Sequence, residues 1–129
     1  MGLYAYVGIK ESEVSERAVV WIGDTRKVLM TFPKEVKGQV GYALGEAQQG
    51  RKADTAKPMA GLGAGVLEIV ADHDGDTFRA VYAVKLGDRV YVLHVFQKKS
   101  KSGIATPKPD IDLIKDRLKR MKAELRRAT

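Results

Sequence analysis

The chain has 129 residues, of which 44% are apolar and 30% charged, and it contains no cysteine. This length is enough for one domain with a hydrophobic core, and the lack of cysteine excludes disulfides, thiolate nucleophiles and cysteine-ligated zinc. The formal net charge is +7, and all of it arises after Phe96, where 11 Lys+Arg stand against 4 Asp+Glu. A basic excess of this kind favours a polyanionic partner, nucleic acid first.

Nothing in the sequence indicates a membrane or a secretory route. No apolar stretch approaches the ~20 residues that a membrane span needs, and the first residues lack the basic region and cleavage site of a signal peptide. We therefore expect a cytoplasmic protein without a membrane partner. Residues 1–16 show no clear period and are expected to be a mobile N-terminal arm, and residues 17–129 to form a single domain.

The first predicted elements are a strand and a short helix. Residues 18–22 are a run of β-branched and aromatic side chains, which is typical of a strand. Asp24 is expected to cap a short helix that ends at Phe32, because its carboxylate can accept a hydrogen bond from a free backbone N–H.

A second helix is predicted from Pro33 to about Gln49. Proline suits the first helical turn, where its missing N–H is not needed, and Gly50 can end the helix in the left-handed conformation. Gly41 and Gly45 lie four residues apart and predict the close approach of a neighbouring backbone. The two helices are expected to form a helical hairpin.

Three further strands are predicted as a meander over residues 66–71, 78–86 and 89–96. The first turn contains Asp74-Gly75, and Gly87-Asp88 is expected to be a two-residue link. Apolar side chains occur on both faces of these strands. This pattern predicts that both sides of the sheet are covered.

Two short motifs before and within the meander invite other interpretations. Gly61-x-Gly63-x-Gly65 precedes a strand, whereas a dinucleotide-binding fingerprint follows a strand and opens a helix. We interpret these glycines as a flexible entry to the meander. The acidic segment 72–76 lacks the length and terminal Glu of an EF-hand calcium loop, and a hairpin turn explains it.

The C-terminal segment predicts one last helix, which Asp110 is suited to cap. An apolar stripe with spacings of three and four residues is expected to pack on the sheet or on a partner; it consists of Ile111, Ile114, Leu118, Met121 and Leu125. The order of elements indicates an α+β fold. We expect a small twisted antiparallel sheet, formed by the first strand and the meander, with the helical hairpin on one face and a C-terminal helix.

Basic residues and tyrosines are the chemical groups that the chain offers. No Ser-His-Asp set, carboxylate pair or HExxH sequence stands out. RNA cleavage by the 2′-OH fits these groups, because it needs in-line alignment, charge neutralisation and two proton transfers but no obligatory metal or cofactor. The candidates for handling the phosphate are Lys57, Arg79, Lys98 and Lys99. The candidates for general nucleic-acid binding are Lys52, Lys101, Lys108, Lys115, Lys119 and Lys122.

Several of these residues have a structural interpretation as well. Arg79 stands in an apolar strand, where a charge needs a partner, a ligand or an open face, and it could pair with Glu68 across the hairpin. His94 lies in the middle of a strand, where histidine is more often structural than catalytic. The basic side of the last helix could be a solvated face.

A series of short motifs runs from about Val19 to Leu125. In chain order they include Val20-Trp21-Ile22; Phe32-Pro33-Lys34-Glu35-Val36; Gly41-Tyr42-Ala43-Leu44; Lys57-Pro58-Met59-x-Gly61-Leu62-Gly63; Gly65-Val66-Leu67-Glu68-Ile69; Phe78-Arg79-Ala80-Val81-Tyr82; Val92-Leu93-His94-x-Phe96-Gln97-Lys98-Lys99-Ser100; and Arg117-Leu118. As an ordered set they resemble the phage-derived branch of HigB-like toxins, in the RelE/ParE superfamily of type II toxin–antitoxin systems.

The resemblance implies a ribosome-dependent mRNA endonuclease that cleaves the codon in the ribosomal A site and leaves a 2′,3′-cyclic phosphate. It also implies a partner antitoxin, often a helix-turn-helix protein from the adjacent gene, through which alone the toxin would contact operator DNA. By position, it places Lys57, Arg79 and Lys98/Lys99 among the basic residues that such toxins use. It adds Tyr82 and His94 as orienting or proton-transfer groups.

Two other functions stay open on the sequence. ParE-type toxins act on DNA gyrase with the same scaffold, so the fold alone does not decide the target. A non-catalytic basic module would bind nucleic acid in a salt-sensitive way without cleaving it.

Overall fold

The computed structural model describes residues 16–98 and 105–128. Nearly all of the predicted N-terminal arm, residues 1–15, lies outside the described residues, so the arm and the domain boundary stay predictions. Within the described ranges there are five strands and three helices. The strands are β1 (Val19–Trp21), β2 (Ala56–Pro58), β3 (Val66–His73), β4 (Asp76–Ala83) and β5 (Val90–Lys98), and the helices are α1 (Thr25–Leu29), α2 (Lys34–Gln48) and α3 (Lys108–Ala128).

The strands form one sheet in the order β1-β5-β4-β3-β2. β1 runs parallel to β5, and the other neighbours are antiparallel. Between β4 and β5 the register shifts: Val81 pairs with His94 but Tyr82 pairs with Val92, so Leu93 is an extra residue on β5. Such a bulge bends a strand and changes the direction of the side chains around it.

Helices cover both faces of the sheet, as the apolar pattern predicted. On one side, here called the hairpin face, residues of α1 and α2 share a core with strand residues that include Leu67, Ile69, Phe78, Ala80, Tyr82 and Val92. On the other side, here called the α3 face, Ile114, Leu118 and Met121 share a core with strand residues that include Val66, Val81, Leu93 and Phe96. The predicted apolar stripe therefore packs on the sheet, with its three central residues fully buried.

The predicted α+β class is confirmed, but the sheet is mixed and not antiparallel throughout as expected. The first strand runs parallel to β5, and its direction depends on the path of the chain, which leaves no local sequence signal. β2 lies in the segment between α2 and β3, and the sequence did not predict it because it is an edge strand of only three residues. It contains a proline, which is tolerated because sheets accept proline at their edges.

The two hairpin connections differ from each other. Asp74 and Gly75, with φ of 50° and 84°, form the tight link between β3 and β4, as the sequence predicted. The predicted two-residue link at Gly87-Asp88 is wrong, since β4 ends at Ala83 and β5 begins at Val90.

Asp24 stands at the start of α1, but the predicted capping bond from its side chain is absent among the described residues. Its carboxylate instead accepts a hydrogen bond from Arg117 Nη2 at 3.2 Å. Arg117 Nη1 donates to the carbonyl oxygen of Leu93 at 2.8 Å. One arginine of α3 thus joins the helix to β5 and to the loop before α1.

The glycines of α2 do not have the predicted role. A Cβ placed on Gly41 or Gly45 would meet no atom of another described residue within 4 Å, so none of the backbone that the structure describes approaches them. Gly50, by contrast, has a φ of +81° just after α2, as expected for a left-handed stop. None of the helices in the described ranges is long and apolar enough to cross a membrane.

Candidate active site

Five polar residues lie side by side on the α3 face, on four consecutive strands. Lys57 on β2 is opposite Glu68 on β3, Arg79 on β4 is opposite Phe96, and Lys98 on β5 is opposite Thr77. Residues directly opposite in an antiparallel pair share a face, and so do residues two apart on one strand. Lys57, Glu68, Arg79, His94 and Lys98 are called here the strand cluster.

Glu68 and Arg79 form the central ion pair of the strand cluster. Nη1 of Arg79 donates to both carboxylate oxygens of Glu68 at 3.1 Å, and Thr106 Oγ1 donates to Glu68 Oε2 at 3.2 Å. The side chains of Arg79 and Glu68 are 9% and 13% exposed, respectively. The structural alternative for Arg79, a cross-strand pair with Glu68, is therefore confirmed, and Glu68 fixes the position of the guanidinium.

His94 is held by the first turn of α3. Its Nε2 lies 2.7 Å from Oδ1 of Asp110, and its ring stacks on Phe96 with a centroid distance of 4.7 Å and an interplanar angle of 17°. The bulge at Leu93 places His94 where it meets Asp110. Because a carboxylate on one ring nitrogen fixes the orientation of an imidazole and leaves its other nitrogen for a substrate, this arrangement suits proton transfer.

The lysines of the strand cluster differ in exposure. Lys57 is exposed on the edge strand β2, whereas Lys98 at the end of β5 is only 7% exposed. Lys99 and Lys101, which the sequence placed at the same strand exit, lie outside the described residues, and their roles stay predictions.

Tyr82 is not brought into the strand cluster. It lies three residues after Arg79 on β4 and faces the opposite side of the sheet, in the core of the hairpin face. Burial raises the pKa of its hydroxyl above the ordinary value. The predicted grouping of Tyr82 with Arg79 in one site is therefore not supported by their positions, because neighbouring strand positions alternate between faces.

The basic residues predicted on the last helix do form one surface. Lys115, Lys119 and Lys122, together with Arg126, line a shallow cavity of about 330 Å³ between α3 and the loop at Gly61 and Leu62. The other two predicted binders lie elsewhere. Lys108 is exposed and pairs with Asp112 at 2.8 Å, and Lys52 donates to the carbonyl oxygen of Ala56 at 2.9 Å.

Three members of the site were not predicted as functional residues. Glu68 was expected only as a structural partner of Arg79, Asp110 only as the cap of a helix that in fact begins at Lys108, and Thr106 was given no functional role. Each contacts a residue far away in sequence, at separations of 11 to 38 residues. The Glu68–Arg79 pair could be expected from the hairpin, but no local spacing could have revealed the contacts of Asp110 and Thr106.

The strand cluster combines cations that can bind phosphate oxygens with a fixed histidine that can exchange a proton. Arginine and lysine neutralise negative charge that develops on a phosphate, and the Asp110–His94 pair is within the same face. This set of groups suits a reaction at a phosphate group of a polyanionic substrate.

Comparison with known proteins gives one family. No curated protein is a significant match to the chain. The model of the family described as phage-derived protein Gp49-like (DUF891) matches residues 27–119, which include every strand from β2 to β5 and the first half of α3. With most of its length matched, the chain belongs to this phage-derived Gp49-like family.

Proposed function

We propose that the protein is the toxin of a type II toxin–antitoxin pair and that it cleaves ribosome-bound mRNA without a metal ion. The family is associated with toxin–antitoxin systems. The observation that carries the proposal is the convergence of Lys57, Arg79, His94 and Lys98 on one face of the sheet. The Asp110–His94 contact adds a group suited to proton transfer.

The proposed reaction is the attack of a ribose 2′-oxygen on the adjacent phosphorus. The 2′-OH gives up its proton, the O2′–P bond forms, the P–O5′ bond breaks, and the leaving 5′-oxygen takes up a proton. The products are a 2′,3′-cyclic phosphate and a 5′-hydroxyl. The enzyme must align the two oxygens, stabilise the charge on the phosphate and move two protons.

Each residue of the strand cluster has a role in this proposal. Arg79 and Lys57 bind the non-bridging phosphate oxygens, and Lys98 adds positive charge beside them. His94 exchanges a proton through the ring nitrogen that Asp110 does not engage. Glu68 is a positioning residue, because it holds the guanidinium of Arg79 through one nitrogen.

The partners follow from the same proposal. The basic surface of α3, formed by Lys115, Lys119, Lys122 and Arg126, lies beside the substrate face and suits contact with ribosomal RNA. The antitoxin is proposed to be a helix-turn-helix protein from the adjacent gene, and operator DNA is contacted only through it. The toxin acts in the cytoplasm, where the ribosomes are.

The test uses the full chain, purified from its complex with the antitoxin, and ribosomes stalled on a defined mRNA. Primer extension is expected to show a break within one codon, and the upstream fragment is expected to carry a 2′,3′-cyclic phosphate. His94→Gln should abolish the break, and Lys27→Gln on α1, far from the strand cluster, is the control.

Intact mRNA together with gyrase-dependent DNA breaks would contradict the proposal and identify a gyrase poison. Salt-sensitive RNA binding without any break would identify a binding module.

Glu68→Gln separates positioning from simple binding. The amide keeps the shape but weakens the hold on Arg79, so kcat is expected to fall about 10- to 100-fold while KM for the ribosome-bound mRNA does not rise. A rise in KM with unchanged kcat would show that Glu68 has no positioning role.

A further inference from the structure

A second basic region lies on the hairpin side of the sheet, away from the strand cluster. A cavity of about 350 Å³, here called the cleft, opens between the end of α2, the loop 59–65 and the strands β3 and β4. Its floor is apolar and includes Leu67, Tyr82 and Val84. Its rim carries four cations, namely Arg17, Arg51, Lys52 and Lys85.

The charges of the cleft are only partly compensated. No acidic side chain is among the described residues that line it. Arg51 is paired with Glu46, from Nη2 to Oε2 at 3.0 Å, which also lowers the pKa of Glu46. Neither Arg17 nor Lys85 forms an ion pair with another described residue. Like charges that converge on an apolar cavity repel one another and favour an anionic ligand.

One glycine makes room for one of these cations. A Cβ on Gly65, whose φ is +82°, would lie 2.7 Å from Cβ and Cγ of Lys85, so the lack of a side chain lets the loop lie close to Lys85. Arg17 lies near Gly50, where a Cβ would be in ordinary van der Waals contact with Nη2 of Arg17 at 3.7 Å. In the Gly61-x-Gly63-x-Gly65 motif, which is no dinucleotide fingerprint, Gly65 is thus the residue that meets Lys85.

The same loop presents backbone donors. The N–H groups of Gly63, Ala64 and Gly65 have no backbone acceptor among the described residues. Successive free N–H groups in a turn form anion-binding concavities in many proteins, and Gly63 and Gly65 on either side of Ala64 have positive φ. The loop and the two cations therefore offer complementary donors to one anionic group.

We propose that the cleft binds a nucleoside phosphate, with the phosphate on Arg17, Lys85 and the 63–65 loop and the base or sugar against the apolar floor. The cavity volume is within the range of small-ligand sites. The ligand is either a free nucleotide or one nucleotide of an RNA strand, since both present the same chemistry. The proposal does not depend on the nuclease function, because the strand cluster lies on the other face.

The experiment is an NMR titration of the full chain, labelled with ¹⁵N, with 5′-AMP, a single-stranded RNA octamer, inorganic phosphate and a glutamate hexapeptide. AMP or the octamer is expected to shift the amides of Gly63, Ala64 and Gly65 saturably. In Arg17→Gln/Lys85→Gln the affinity should fall at least tenfold. Lys27→Gln/Lys34→Gln removes the same charge at exposed positions outside the cleft and should leave the affinity within twofold.

The outcomes separate the possible ligands. Saturation by AMP identifies a free nucleotide, and saturation by the octamer alone identifies a nucleotide within RNA; both support the proposal. Tighter binding of the hexapeptide than of either nucleotide ligand would overturn it in favour of an acidic protein segment. Equal responses to phosphate and AMP would show that the apolar floor contributes nothing, and absent shifts at the loop would show no site.

Discussion

The two faces of the sheet are both packed against helices, but they differ in what the strands contribute. The buried strand residues of the hairpin face, within the described ranges, are apolar apart from the hydroxyl of Tyr82. The α3 face has the same kind of core around Val81 and Leu93, and beside it the strand cluster. Removing charges from water costs free energy unless they are paired. The ion pairs on the α3 face meet this requirement, and a concentration of charge on one face is expected where a substrate binds.

The largest expected effects come from the two cores, which should be equally important to the fold. Leu44→Ala on α2 and Ile114→Ala on α3 remove side chains that are 4% and 0% exposed. Each should lower the free energy of unfolding by about 2–5 kcal/mol, measured by urea denaturation. Leu125→Ala, at a half-buried position of the same stripe, is the milder control. An unchanged unfolding free energy for Ile114→Ala would show that α3 is not part of the cooperative core.

Lys57→Ala sharpens the functional side of the comparison. Lys57 is exposed on an edge strand, so its truncation should leave the unfolding midpoint unchanged. Loss of one charge that stabilises the transition state should lower mRNA cleavage about 10²-fold, read by primer extension on stalled ribosomes. Lys27→Ala is the matched control on α1. Full cleavage by a folded Lys57→Ala protein would remove this residue from the site.

A substitution on the exposed side of α2 should increase the stability of the protein, whereas the core substitutions decrease it. Gly41→Ala should stabilise the protein by about 0.4–1 kcal/mol, because alanine fits the open space and reduces the entropy of the unfolded chain. Gly50→Ala should destabilise it, since the φ of Gly50 is +81°. Urea midpoints of the two variants measure both changes. If Gly41→Ala destabilised the protein, this result would support the predicted close approach of a neighbouring backbone to Gly41.

The smallest effect concerns Tyr82 and appears only in alkali. Burial raises the pKa of Tyr82 in the folded protein, so the unfolded chain loses the proton first, from about pH 10 upward. The contribution of the Tyr82 hydroxyl to the free energy of unfolding is therefore fully present below about pH 10 and declines as the pH rises through the folded-state pKa. Tyr82→Phe should show a shallower loss of stability above pH 10, measured by denaturant titration at several pH values. Identical alkaline profiles would show that Tyr82 is solvated.

Much of the fold could be predicted because its signals are local. The apolar stripe of α3, the apolar runs of the meander strands and the Asp74-Gly75 turn are each patterns of residues close together in the sequence. β2 could not be predicted, because three residues carry no period and its pairing partner is supplied by β3. The parallel direction of β1 is likewise a consequence of the path of the chain.

The candidate site was predictable in part. Residue type drew attention to Lys57, Arg79, His94 and Lys98, and the register places them on one face. Tyr82 was grouped with them because of its type and proximity in sequence. An alternation of side chains with period two is enough to separate it from Arg79.

By itself the sequence determined the class of the fold, the basic C-terminal quarter and the residues able to bind phosphate, because composition and short-range periodicity are properties of neighbouring residues. The tertiary structure alone decided that Asp110 holds His94, that Thr106 contacts Glu68, and that Lys85 and Arg17 line one cleft. These contacts join residues far apart in the chain. They exist only when the packing of both faces brings their strands and helices together.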